Sequence, residues 1–169
     1  MEIEKEELWR IDEDFEERLK KFIEVIDDDN LMHIILKAHL YIEHELNEIL
    51  KMNIKHPHRL PKMNFAMRQK LVFAMDLIPQ DEFNVIKHFN GIRNAFAHNI
   101  EYEFNEKVLK EEIIDQFGKR TKRSYNRRLK FFEKESLKGN LRCALFTIWE
   151  LLVEIRVIPD HVRQILNLN

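Results

Sequence analysis

The stretch LMHIILKAHLYIEHELNEIL, Leu31 to Leu50, sets the reading of this chain. Leu31, Ile35, Ala38, Ile42, Leu46 and Ile49 recur at intervals of three and four residues, the period of one helical face. His44, Asn47 and Glu48 fall on the opposite side. The spacing predicts a helix from Leu31 to about Met52. Asp27–Asp28–Asp29–Asn30 just before it supplies a chain break and an N-cap.

Outward from this helix the same period recurs. Leu8, Phe15, Leu19, Phe22 and Ile26 place a helix over Lys5 to about Asp27. Asn53 to Lys62, NIKHPHRLPK, carries two prolines and reads as a loop. Asn64 caps a third expected helix, running to Leu77 with Phe65, Leu71 and Ala74 among its apolar positions. Pro79 restarts the chain, and Gln80 or Asp81 leads into a fourth helix with an inner stripe of Val85, Phe89, Ile92 and Phe96 that ends near His98–Asn99. Ile100 to Phe104 alternates apolar and charged residues, as a short extended connection does. Asn105 caps a fifth helix, for which Gly118 is the expected stop. A sixth helix, Asn140 to about Val157, is apolar almost all round, which places it at the centre of the fold or at a subunit interface. Pro159 ends it, and Asp160 to Leu168 makes a short final helix.

The composition agrees with this pattern. The 169 residues are 44% hydrophobic and 34% charged, a folded composition of a length that supports one domain. Three glycines and four prolines are too few for the tight turns of a sandwich or barrel. There is no internal repeat and no interdomain linker. The expected architecture is an all-α bundle of six to seven helices in a single domain spanning residues 1–169, with the basic segment 119–134 as an insertion or connecting helix. One cysteine, Cys143, excludes an internal disulfide and any zinc cluster built on cysteines. The acidic opening MEIEKEELWR lacks the apolar core of a secretory leader, and no apolar run approaches the roughly 20 residues of a membrane span. A cytoplasmic protein is expected.

The chemistry concentrates in IRNAFAH, Ile92 to His98. Asn94 and His98 share a helix face at i and i+4, whereas Arg93 stands roughly 140° from His98 on a regular helix. Arg93 and His98 would meet if the helix frayed at His98, or if a two-fold interface brought a second copy alongside. Such a cleft suits RNA cleavage. Histidine titrates near ~6.5 and exchanges protons with a 2′-hydroxyl or a leaving oxygen. Arginine stays charged and grips phosphate oxygens with a planar fork, and Asn94 orients a phosphate or the imidazole. No metal or other cofactor is required. By spacing alone, Arg93 and His98 better suit a helix C-terminus, where they satisfy free carbonyls and oppose the helix dipole.

The run FNGIRNAFAHN resembles the signature of the HEPN superfamily, small helical domains with an R-x-x-x-x-H type motif and often Asn after the Arg. ILKAHLYIEHELNEIL is similar to the long HEPN helix that packs beside the motif helix. FAMRQKLVFAMDLIP followed by EFNVIKHFNGIRNAFAH is similar to the branch related to the mannitol operon repressor. The resemblance covers about Leu31 to Ile114. It implies a helical bundle, usually a homodimer with the motif near its interface. It also implies a metal-independent endoribonuclease in a toxin–antitoxin, phage-defence or RNA-processing setting. Arg93 and His98 would then carry catalysis with Asn94 in support, and an antitoxin or regulatory protein would be a partner. The mannitol-repressor branch implies the alternative, a non-catalytic transcriptional regulator or protein-interaction module.

Three further features call for a reading. Lys119 to Lys134 carries Lys119, Arg120, Lys122, Arg123, Arg127, Arg128, Lys130 and Lys134 against one acid, Glu133. Tyr125, Phe131 and Phe132 are interleaved, so cations for phosphates and aromatics for unpaired bases point to an RNA-binding wall beside the motif. A solvated helix balancing the acidic first helix fits equally well. His39, Glu43, His44, His56 and His58 do not form the paired-histidine motif of a zinc protease, and no metal site is expected. Glu43 and Glu45 either serve the cleft or are ion-paired, and Cys143 reads as a small buried residue.

Overall fold

The computed structural model describes residues 5–132 and 136–158, with side chains from Glu13 onward. Lys134 and the expected final helix from Asp160 lie outside the described residues. Within them the chain is an all-α bundle without strands: α1 (Lys5–Ile26), α2 (Leu31–Asn53), α3 (Phe65–Ala74), α4 (Gln80–His98), α5 (Glu106–Glu112), α6 (Lys119–Arg128) and α7 (Leu137–Val157). Short 3-10 turns at Pro57–Arg59, Ile114–Gln116 and Leu129–Phe131 join them.

Four helices begin where a side chain accepts the first free N–H groups. Asn30 Oδ1 accepts from Met32 N (2.9 Å) and His33 N (3.2 Å), Asn64 Oδ1 from Met67 N (2.9 Å), Asn105 Oδ1 from Val108 N (3.1 Å) and Ser136 Oγ from Gly139 N (3.0 Å). Capped by Ser136, α7 starts at Leu137, three residues ahead of the expected Asn140.

The core is built on α2 and α7. Ile34, Ile35, Ala38, Ile42, Leu46 and Ile49 of α2 are fully or almost fully buried. Every residue from Cys143 to Val153 is buried, because α1, α2, α4 and α6 all pack on α7. The all-round apolar helix is therefore central. Phe22 of α1 stacks on Trp149 with centroids 4.4 Å apart and an interplanar angle of 4°.

Two helix ends differ from the sequence expectation. α3 stops at Ala74 and not Leu77, because Asp76 adopts a left-handed conformation at φ 57°. Leu77 N then donates to Val72 O (3.1 Å) and Asp76 N to Phe73 O (2.9 Å), the paired bonds of a Schellman stop. Asp tolerates this region far better than a β-branched residue does. Asp76→Val is expected to lower stability by about 1–2 kcal/mol, read as a lower thermal midpoint, with Asp76→Gly unimpaired. Likewise α5 ends at Glu112, well before Gly118. Gly118 instead precedes α6, where a Cβ would come within 2.9 Å of the Asp81 side chain.

Candidate functional site

α4 carries the motif. Its inner residues Val85, Phe89 and Ile92 are buried, and Phe96 packs edge-on against Tyr102 (4.9 Å between centroids). The helix stays regular through His98. Asn99 closes it, donating its N–H to Ala95 O (2.9 Å) while its side chain accepts from Glu101 N (3.0 Å). No fraying brings His98 back toward Arg93, so the roughly 140° between them is kept within one chain.

The two residues meet different surroundings. His98 is exposed, and its side chain makes no hydrogen bond among the described residues. Arg93 is half-buried; its Nη1 donates to Asn94 Oδ1 (3.2 Å), and its Nε is buried without a partner. Asn94 thus orients the guanidinium of its neighbour and not the imidazole.

Arg93 instead approaches a histidine of α2. His39, 5% exposed, lies between Phe65 (4.2 Å, stacked) and Phe89 (6.0 Å). Its Nε2 contacts Asn90 Oδ1 at 3.1 Å. Burial holds the imidazole below its ordinary pKa; the Asn90 bond opposes this, and the Arg93 charge adds to it. The unfolded chain, with His39 near ~6.5, therefore binds more protons than the folded one just below that pH. Stability from this site is fully present above about pH 6.5 and is lost as pH falls from there through the folded-state value. His39→Gln is expected to flatten that part of the thermal midpoint against pH.

The sequence marks His39 only as a candidate metal ligand. The available signal was its place beside Ala38 on the border of the apolar stripe, and Asn90 standing one helical turn before Asn94.

The other acidic candidates are ion-paired. Glu43 binds Arg68 of α3, and Glu45 is buried with Arg156 of α7 (2.7 Å). Burial pushes the Glu45 carboxyl up, and Arg156 restrains the rise. Cys143 is buried, its thiol pushed up to about 12, so it is an inert packing residue. Among the described residues no group of three or more histidine, cysteine or acidic side chains is placed to hold a metal ion, and no helix is long and apolar enough to cross a membrane.

The basic run folds as α6 and the turn after it, and it divides in two. Lys119, Arg123, Arg127 and Lys130 project outward, and Lys130 lies over the ring of Phe131, itself 73% exposed. The inward or paired members are tied to acids: Arg128 to buried Glu150, Arg120 to Glu154 (2.6 Å) and Lys122 to Asp115 (3.8 Å). Arg128 is thereby a structural residue of the bundle. α6 starts at the first turn of α4, where Thr121 Oγ1 donates to Glu82 Oε1 (3.1 Å). That point is roughly 16–24 Å along the α4 axis from Arg93 and His98, at ~1.5 Å per residue. No described contact joins an α6 cation to either residue.

A cleft of about 490 Å³ lies elsewhere, walled by Leu19, Ile23, Ile26, Phe131, Phe132 and Phe146. Comparison of the chain with protein-family models, with curated proteins and with solved structures finds no match.

Proposed function

We propose that the chain is a metal-independent endoribonuclease of the HEPN type that works as a homodimer. The observation that carries this reading is the disposition of the RNxxxH segment on α4: a solvent-facing His98, and an Arg93 held by Asn94 on a different side of the helix. One chain offers the proton-transfer group and the phosphate clamp on separate faces. A two-fold pairing of α4 helices supplies both to one cleft. There His98 takes the proton of a 2′-hydroxyl as its oxygen attacks phosphorus, the P–O5′ bond breaks, and the imidazolium returns the proton to the departing 5′-oxygen, leaving a 2′,3′-cyclic phosphate. Arg93 binds the phosphate oxygens, on which charge accumulates. The outward cations of α6 and exposed Phe131 extend the contact to single-stranded RNA, by phosphate pairing and base stacking. The test is cleavage of RNA in the presence of chelator by wild type, His98→Ala and Arg93→Ala. Absent activity, or activity unchanged in both variants, refutes the reading.

A second reading is favoured by a separate observation. Leu40 is 64% and Met32 39% exposed on α2, with half-buried Leu36 between them at four-residue spacing. This apolar stripe suits a protein partner, as in a non-catalytic regulator resembling the mannitol operon repressor. An antitoxin with an acidic surface would likewise cover the α6 ridge. Stable capture of a partner together with an inert wild type toward RNA supports that alternative.

A further inference from the structure

Behind the exposed face of α4 lies a polar group that the reaction above does not use. His39 is almost fully buried among Phe65 and Phe89, yet its ring makes a polar contact with the Asn90 side chain at 3.1 Å. A phenylalanine or leucine would fill that space without the desolvation that an imidazole carries. Asn90 lies one helical turn before Asn94 and three residues before Arg93, so Asn90, Arg93 and Asn94 fall on neighbouring positions of one face. Asn94 already holds Nη1 of Arg93. With Oδ1 of Asn90 as acceptor, His39 Nε2 must carry the proton.

We propose that His39 is a positioning residue for Arg93: its ring fixes the Asn90 side chain, one turn before Asn94 on α4, and so holds in place the surface on which Asn94 sets the guanidinium toward a phosphate. The proposal rests on the ribonuclease reading, because it assigns His39 a role in that site. The charged groups around His39 are Arg93 from α4, Glu43 from its own helix and Arg68 of α3, which pairs with Glu43. Arg93 opposes protonation of His39 and Glu43 favours it. A protonated His39 would be a second cation beside Arg93, and the arrangement would loosen in acid.

Two substitutions separate positioning from packing. His39→Gln can place an amide N–H where Nε2 stands and keep the donor to Asn90, without titrating. His39→Phe keeps a flat ring against Phe65 and removes the donor. In the full-length protein, His39→Gln is expected to cleave RNA within about twofold of wild type, and its acid limb moves to lower pH. His39→Phe is expected to lose about tenfold in kcat, the worth of one hydrogen bond, with a smaller change in KM. A His39→Phe variant that cleaves at the wild-type rate overturns the proposal. So does a His39→Gln variant that falls as far as His39→Phe while both melt cooperatively.

A second readout does not depend on cleavage. In wild-type NMR spectra the side-chain amide signals of Asn90 and the Nε–H signal of Arg93 should move with the titration of His39. They should be retained in His39→Gln and displaced in His39→Phe. A wild type that cuts no RNA removes the ribonuclease reading, and these signals then decide the His39–Asn90–Arg93 linkage alone. Signals indifferent to both substitutions refute it.

Discussion

His98→Ala is expected to reduce RNA cleavage by roughly 10²- to 10⁴-fold, the range over which a positioned proton-transfer group acts. Arg93→Ala is expected to lose roughly 10²- to 10³-fold through the unpaired phosphate charge. Both are measured in chelator, on a single-stranded RNA, under single-turnover conditions. The geometry of α4 adds a sharper test. Arg93, held by Asn94, and exposed His98 leave α4 on different sides, so in the homodimer proposed above a complete site would draw one residue from each copy. Mixing the two inactive variants in equal amounts then produces hybrid dimers with one intact composite site, and about a quarter of wild-type activity returns. No recovery in the mixture would show that each chain uses its own Arg93 and His98, and the paired-helix arrangement would be wrong.

Arg128→Ala is expected to destabilise the fold by about 2–4 kcal/mol, toward the cost of breaking a buried ion pair but discounted for the partial exposure of Arg128. Glu150 has 2% of its side chain exposed and sits inside α7, where Arg128 Nε donates to Oε2 at 2.6 Å and Nη2 binds Oε1. Without the guanidinium, its carboxylate is left with only the weak Ser124 contact at 3.5 Å. The thermal midpoint should fall by roughly 4–16 °C for a domain of this size. Arg123→Ala, one turn earlier on the outward side, should stay within about 0.5 kcal/mol of wild type. For RNA affinity the contrast reverses. Loss of Arg123 or Arg127 is expected to weaken binding and reduce the salt slope by about 0.7 per lost phosphate contact. A flat salt response of the wild type would remove α6 from the RNA surface, and equal destabilisation by Arg123→Ala and Arg128→Ala would contradict the division of the helix.

Much of the bundle was legible because its signals are local. Asn30, Asn64 and Asn105 each carry a short side-chain acceptor just before an apolar period, and each caps a helix by that acceptor. The apolar α7 read as central or as a subunit interface, and the four helices packed on it make it central. The misplaced ends had less local causes. Asp76 stops α3 in a conformation usually reserved for glycine, so residue type gave little warning. Gly118 was read as a stop for the helix before it, when its close approach is to Asp81, 37 residues back. The site was legible only as a motif. Which α6 cations are paired depends on Glu150, Glu154 and Asp115, and the partner of Asn90 is His39, fifty-one positions earlier. Contacts of that range have no period to read.

The pairing of α2 with α7 also bears on how the protein is made. Arg142 of α7 donates to Ile26 O and Asp28 O, across 116 and 114 positions, and Arg156 reaches Glu45 across 111. A ribosome adding about 5–20 residues per second exposes the apolar side of α2 for several seconds before its main partner emerges. The nascent chain must carry that surface until α7 has been translated, a span in which a chaperone or an early-binding partner protein would have the most to gain from contact. The α4 face takes shape on top of this late-closing pair. Any activity it has is therefore withheld until α7 has emerged.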